Sequence, residues 1–367
     1  MSVGLISDGY KVYSEKYIMK VLFVAASDTL VRLLAPIFDE ALLRGCDVYW
    51  ATLPNTYEMA EFEIACLYKK SQYVGVLKDS VIEQKYDFYI FGNDWSNEAK
   101  TFIERIRKQK IGITVVIQES IVNFLGAEKR LCWCDCAFVQ GNITAEILVN
   151  ANRSNVFSVG NPRYENIKKT KKDKNSRIII NSNFTYGVGD SYKWQWLKDT
   201  VNASKKVSSD VVIIQHPRDN QDLSILGVEV IKTNAAVVHS KIQEAALLIT
   251  RASSLIHEAL AMDRPVLFYN PANEDYGYDF GKIDGFFHTV TNDGLLEQQI
   301  RLLLSNKVDV TLVDSYLKQH IYPHHERASV LIVDKLVAIN QDPERYRLPL
   351  VRDFNVKRML KMCLGLS

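Results

Sequence analysis

Short apolar runs alternate, twice along this chain, with stretches whose apolar residues recur at helical spacing. The first array opens at Lys20-Val-Leu-Phe-Val-Ala-Ala26, continues through Leu30, Leu33, Leu34, Ile37 and Ala41, and restarts as a strand at Asp47–Thr52. Phe88–Gly92, Asn97–Lys108 and Ile113–Gln118 repeat the strand–helix–strand order, and Ala137–Gln140, Thr144–Ala151 and Val156–Val159 complete it. Uninterrupted Val/Ile/Leu runs between helices suit strands covered on both faces, the arrangement of a parallel, doubly wound sheet. A second array runs from the strand Arg177–Asn181 through Ser191–Ser204, Val211–Gln215, Val228–Lys232, Ala246–Thr250, Ser254–Ala261 and Pro265–Tyr269. Leu295–Leu304, Leu312–Gln319 and Glu326–Ile339 read as closing helices.

Between the arrays lies Lys168-Lys-Thr-Lys-Lys-Asp-Lys174, which offers no apolar face and reads as an exposed linker. The expected organisation is an extension over residues 1–18, a Rossmann-like acceptor domain over 19–167, the linker over 168–174, and a Rossmann-like nucleotide-donor domain over 175–339. A tail over 340–367 is expected to be helical and to pack back on the first domain. Two such domains suit a chain of 367 residues, and their sheets face each other across a cleft where open α/β sheets bind ligands.

Forty-five basic against 43 acidic residues leave a net charge of +2, spread along the chain, so no nucleic-acid partner is expected. No apolar run approaches the length needed to span a bilayer, and the N-terminal residues lack a signal-peptide core. With six unevenly spaced cysteines this reads as a cytoplasmic chain. Cys132, Cys134 and Cys136 alternate, which places them on one face of a strand or turn and is too tight for zinc. No metal is expected. Neither array carries Gly-x-Gly-x-x-Gly after a strand, and no Walker-type loop occurs, which argues against a dehydrogenase or a P-loop kinase.

The most informative stretch is Thr250-Arg-Ala-Ser-Ser-Leu-Ile-His-Glu-Ala through Arg264-Pro-Val-Leu-Phe-Tyr-Asn-Pro271. A strand ends at Thr250, Ser253 and Ser254 follow, and a helix begins, so free N–H groups and two hydroxyls face one place, suited to an anion. Glu258 lies one turn beyond Ser254, where its carboxylate can accept from a ribose diol. The alternative is a plain N-cap and a surface glutamate.

Three further positions stand at strand ends. His216, fixed by the following Pro217, can meet a donor phosphate or a sugar carboxylate, or be satisfied by a backbone carbonyl. Glu119 in Gln118-Glu-Ser120 is placed for a general base or an acceptor anchor, or caps the next helix. Asn93-Asp94 competes for the same role.

The pattern small/Ser-Ser-x-x-x-Glu-Ala before Pro-Val-Leu resembles the nucleotide-binding signature of GT-B glycosyltransferases and their relatives. These include non-hydrolysing UDP-N-acetylglucosamine 2-epimerases and CDP-glycerol glycerophosphotransferases. Val159-Gly-Asn-Pro-Arg163 is similar to the turn that closes the first domain in that superfamily, and Ile213-Ile-Gln-His-Pro-Arg218 carries its His-Pro pair. The likeness runs from about Lys20 to Ile339 and implies a GT-B fold with a nucleotide sugar bound through Ser253, Ser254, Glu258 and His216. Gln-Glu, His-Pro and Ser-Ser together resemble bacterial retaining Kdo (3-deoxy-manno-octulosonate) transferases. That implies a CMP- or CDP-linked donor rather than a UDP-linked one, no other cofactor, and a surface-glycan or lipid-linked acceptor. That family's nucleophilic Asp falls here on Asn183, whose amide cannot form a covalent intermediate; Asp190 is the nearest carboxylate. The absence of Asp-x-Asp fits a metal-independent site. The basic, apolar tail Phe354–Leu366 is expected either to pack on the first domain or to touch membrane near a lipid-linked acceptor.

Overall fold

The computed structural model describes residues 19–54, 59–120, 124–167, 169, 177–184, 189–216, 218–233, 237–307, 309–322 and 324–349. The extension at 1–18, most of the Lys-rich linker and the tail beyond 349 lie outside the described residues.

The first sheet is built from β1 (Lys20–Ala25), β2 (Asp47–Thr52), β3 (Tyr73–Val76), β4 (Phe88–Phe91), β5 (Ile113–Ile117), β6 (Cys136–Val139) and β7 (Val156–Ser158). Its helices are α1 (Asp28–Leu43), α2 (Met59–Leu67), α3 (Asp79–Ile82), α4 (Asn97–Gln109) and α5 (Asn142–Asn150). The strands run parallel in the order β3-β2-β1-β4-β5-β6-β7. The second sheet comprises β8 (Ile178–Ser182), β9 (Val211–Gln215), β10 (Glu229–Lys232), β11 (Leu247–Thr250), β12 (Val266–Tyr269) and β13 (Phe287–Val290). It is parallel in the order β10-β9-β8-β11-β12-β13. Around it lie α6 (Lys193–Lys205), α7 (Val238–Glu244), α8 (Leu255–Ala261), α9 (Leu296–Ser305) and α10 (Val310–His320), and α11 (Ala328–Gln341) follows.

Alternation along each strand divides the apolar residues between two faces. Val21, Phe23 and Ala25 pack with α1 on one side of the first sheet, and Leu22 and Val24 lie in a second core on the other. That second core is continuous between the domains, joining Val116, Val139 and Tyr164 to Ile179, Ile214, Ile256 and Phe280. Where the domains meet, the Phe124 N–H donates to the Tyr276 carbonyl at 2.7 Å and the Phe124 and Tyr278 rings stack 5.9 Å apart. Gly277, at φ +59°, permits this approach, since a Cβ there would stand 2.6 Å from the Phe124 carbonyl carbon.

Two expectations are corrected. The helix read as closing the second domain, α11, packs on the first: Ile332, Val333, Leu336 and Ile339 join the core under α1, and Arg327 reaches Glu40 at 2.8 Å. Its apolar stripe fits either sheet by periodicity alone. The three alternating cysteines also do not share a face. Cys134 and Cys136 pack in different cores and Cys132 is half-buried, because β6 begins only at Cys136 and the residues before it bend.

Candidate functional site

Strand order reverses between β1 and β4 in the first sheet and between β8 and β11 in the second, so crevices open at the carboxyl ends of those strands. In the second sheet the ends of β8 and β11 are tied by Asn181 Nδ2 donating to Thr250 Oγ1 at 2.9 Å. Just beyond, Asn183 Nδ2 donates to the Ala252 carbonyl at 3.1 Å, and the Asn183 carbonyl accepts from Arg251 Nη1 at 3.1 Å. Asn183 thus braces the loop carrying Ser253 and Ser254. Asp190 is exposed in the turn before α6. Arg251, 4% exposed, is itself held by Glu274 at 2.8 Å and lies over the Phe184 ring.

Within that loop Ser253 Oγ accepts from the Leu255 N–H at 3.2 Å, and Ser254 Oγ donates to Glu258 Oε1 at 3.1 Å. The helical spacing of Ser254 and Glu258 therefore brings them together as expected. Burial was not expected: Glu258 has no exposed surface. Its Oε2 lies 2.5 Å from Nε2 of His239 on α7, and Nη2 of Arg163 approaches Oε1 at 3.6 Å. Burial alone pushes this carboxyl up, but Arg163, His239 and Ser254 outweigh it and hold it at about 2. Glu258 is neither a surface residue nor an open acceptor in this conformation, because both its oxygens already face donors.

His216 stands half-buried at the end of β9, with Nδ1 accepting from the Arg218 N–H at 3.2 Å. That bond places the proton of the neutral ring on Nε2. Burial shifts the imidazole below its ordinary value, with Asp219 opposing, which favours the neutral donor form. Asp219 is paired with buried Lys193 at 2.7 Å, and its N–H donates to the His216 carbonyl at 2.9 Å. The loop behind the histidine is therefore fixed by a charge-assisted bond rather than by solvent.

From the first domain comes Glu119, directly after β5 and Gln118. Gln118 is structural, accepting the Gln140 N–H at 3.0 Å and donating to the Ser120 carbonyl at 3.0 Å. The Glu119 carboxyl makes no hydrogen bond among the described residues; burial raises it, Arg163 and Arg218 pull it down, and Asp28 raises it further. Asp94 does not share this position. It is 2% exposed and its Oδ2 accepts the Trp133 N–H at 2.9 Å, so it secures a loop of the first domain.

Arg163 connects the two halves. It follows the Gly-Asn-Pro turn, where buried Asn161 accepts the Arg163 N–H at 3.0 Å and donates to the Glu119 carbonyl at 3.1 Å. Its guanidinium is held further on the charged side by Glu258 foremost, and by Tyr164, Glu119 and Asp28. The structure therefore gathers Glu119, Ser254 and Glu258 around one arginine. Asn183 and Ser253 share the adjoining loop, and His216 connects through Arg218. Arg163, Arg218, Asp28 and His239 were not expected as site residues. Arg163 stood inside a recognisable turn, whereas His239 lies in Val237-Val-His-Ser240, which carries no motif.

No family model matches the chain, and no curated protein matches it in sequence. Solved structures do match. The UDP-GlcNAc 2-epimerase of Methanocaldococcus jannaschii, in complex with UDP-GlcNAc and UDP, aligns with TM-score 0.64 and 13% identity over 87% of this chain and 100% of its own. The UDP-GlcNAc 2-epimerase of Neisseria meningitidis, bound to UDP-GlcNAc, gives 0.62 and 14% over 87% and 100%. The wall teichoic acid polymerase TagF gives 0.58 and 12% over 89% and 90%. Together with the two parallel sheets these matches establish the fold as GT-B, two Rossmann-like domains facing each other across a cleft.

Proposed function

We propose that this chain is a metal-independent glycosyltransferase that binds a nucleotide sugar at the carboxyl ends of β8 and β11 and transfers the sugar to a glycan or lipid-linked acceptor. The observation that carries this reading is the meeting of Glu119, Arg163 and Glu258, a carboxyl with no hydrogen bond among the described residues facing a charged donor-side cluster. Ser253, Ser254 and Glu258 are assigned to the nucleotide, with the ribose diol competing for the Glu258 carboxylate. His216, neutral and donating through Nε2, is assigned to a phosphate oxygen of the departing nucleotide. Glu119 takes the proton from the acceptor hydroxyl as its oxygen bonds to the anomeric carbon. The bond from that carbon to the phosphate oxygen breaks, and the nucleotide leaves. A single displacement suits Asn183, whose amide is committed to bracing the Ser253 loop and which has no carboxylate to form a covalent intermediate.

The finer reading is a CMP-Kdo-type donor and a bacterial surface polysaccharide acceptor, supported by the combined Gln118-Glu119, His216-Pro217 and Ser253-Ser254 pattern. A thermal-shift panel with CMP, CDP, UDP and GDP, followed by donor hydrolysis and transfer assays, tests it. Stabilisation by CMP above the others supports the Kdo-type donor, and preferential stabilisation by CDP supports a glycerophosphotransferase. The fold shared with UDP-GlcNAc 2-epimerases favours a second reading, epimerisation of a UDP-linked sugar. That reaction needs acid–base groups on both faces of the sugar, and Asp94 is spent on the Trp133 amide. A UDP preference with epimerisation and no transfer replaces the transferase reading.

A further inference from the structure

Two other arginines of the first domain show how this fold treats a buried guanidinium. Arg107 donates to Asp135 and to the carbonyls of Trp133, Leu348 and Pro349, and Arg153 donates to the carbonyls of Leu131, Ser154 and Cys134. Arg163 is the exception. Its side chain is only 14% exposed, yet the carboxylate it faces, Glu258, has Oε1 at 3.6 Å from Nη2, beyond hydrogen-bonding distance. The guanidinium carries five N–H donors in a fixed fork, and no side-chain hydrogen bond among the described residues occupies them, so the fork keeps its capacity for an acceptor.

The backbone around it is not free to relax. Asn161, fully buried, holds the Arg163 N–H through Oδ1 and donates from Nδ2 to the Glu119 carbonyl. The fork is thus presented across the domain boundary by a braced turn, toward a carboxylate at the switch point of the second sheet. Glu258 offers it a countercharge but little room, since Oε1 also receives Ser254 and Oε2 receives His239. The geometry leaves a fixed positive fork wanting an acceptor with several oxygens.

From this we propose that Arg163 is the residue that takes the phosphate oxygens of the nucleotide donor, and that its contact with Glu258 is the ligand-free arrangement which donor binding replaces. The inference rests on the nucleotide-sugar reading given above and adds to it a specific cation supplied from the opposite domain. When the nucleotide enters, ribose hydroxyls replace the countercharge on Glu258 and the arginine turns to phosphate. A donor phosphate, rather than an acceptor carboxylate, is favoured because Ser254 precedes and Glu258 lies on the helix that follows β11, beside the crevice of the second sheet.

Calorimetric titration of the full chain with cytidine, CMP and CDP, and with uridine, UMP and UDP, tests the assignment. In the wild type the phosphates are expected to tighten binding over the nucleoside by about tenfold or more. Arg163→Gln is expected to reduce that gain, read as the ratio of nucleoside to nucleotide Kd, to within about threefold, with any change in nucleoside affinity from unpairing Glu258 cancelling in the ratio. Circular dichroism reports whether the variant folds. Arg163→Lys keeps the charge beside Glu258 without the fork, and a gain lowered by at least about threefold supports the assignment even if the Gln variant is unfolded. A folded Gln variant with the full phosphate gain, or a Lys variant with an unchanged one, overturns the inference and leaves the donor reading standing. Failure of the wild type to bind any of the nucleotides removes the donor reading itself, and the inference with it.

Discussion

Nε2 of His239 lies 2.5 Å from Oε2 of Glu258, closing a ring of donors around a carboxylate with no exposed surface. Holding Glu258 at about 2, against an ordinary value of 4.5, makes the folded state favour its ionised form. A depressed carboxyl contributes stability above its unfolded value and loses it as pH falls through the folded one. The contribution is roughly 3 kcal/mol near neutral pH. Urea titrations of wild type and Glu258→Gln are expected to differ most near neutrality. The difference should shrink below 4.5 and vanish near 2. A pH-independent difference would mean that the charge of Glu258 is not what matters.

Glu119 shows the opposite sign. Burial raises its carboxyl, so the folded state favours the protonated form and the ionised group opposes folding once pH exceeds the unfolded value. Glu119→Gln is therefore expected to melt at a higher temperature than wild type at neutral pH. The same change should lower kcat by about 10²- to 10⁴-fold and remove the acid limb of the rate profile, as for a general base. Unchanged turnover would exclude the catalytic assignment.

Asn183→Asp restores the carboxylate that the Kdo-transferase resemblance places at this position. The native amide donates to the Ala252 carbonyl, and a carboxylate in its place would face that oxygen with no proton to share. Losing the bond and burying the repulsion is expected to cost about 1–3 kcal/mol and to weaken nucleotide binding without raising turnover. Faster turnover with a sugar adduct on the protein by mass spectrometry would instead establish double displacement.

Gly277→Ala probes the approach between domains. The added Cβ meets the Phe124 carbonyl carbon at 2.6 Å and the Leu125 nitrogen at 2.7 Å, at a φ that alanine tolerates poorly. We expect a stability loss of about 1–3 kcal/mol in thermal melts and an increased radius of gyration in small-angle scattering. An unchanged radius would show that the loops yield without separating the domains.

The alternation of strands and helices was legible because strands such as Val211–Ile214 are covered on both faces and leave no polar interruption. The half-exposed β3, β10 and β13 carry a weaker signal, and neither β3 nor β13 is among the strands read from the sequence. The Ser254–Glu258 bond was legible because helical spacing alone brings the two together. The sealing of Glu258 was not, because its cover comes from His239 on another helix and Arg163 on another domain. The assignment of α11 failed for the same reason. A helical stripe announces that it must be buried and leaves open against what; here it lies under α1, where Glu40 and the capping Arg44 pair with Arg327 and Asp334.

Because α11 returns to the first sheet, the second sheet sits inside the first domain as an insertion in chain order. On the ribosome, the face under α1 stays open until the whole second sheet has emerged, because Ile332, Val333, Leu336 and Ile339 follow it in the chain. Two strands of polypeptide then connect the halves, which restricts their relative twisting far more than a single hinge does. A truncation before α11 would strip apolar cover from the first domain while leaving all six strands of the second in place.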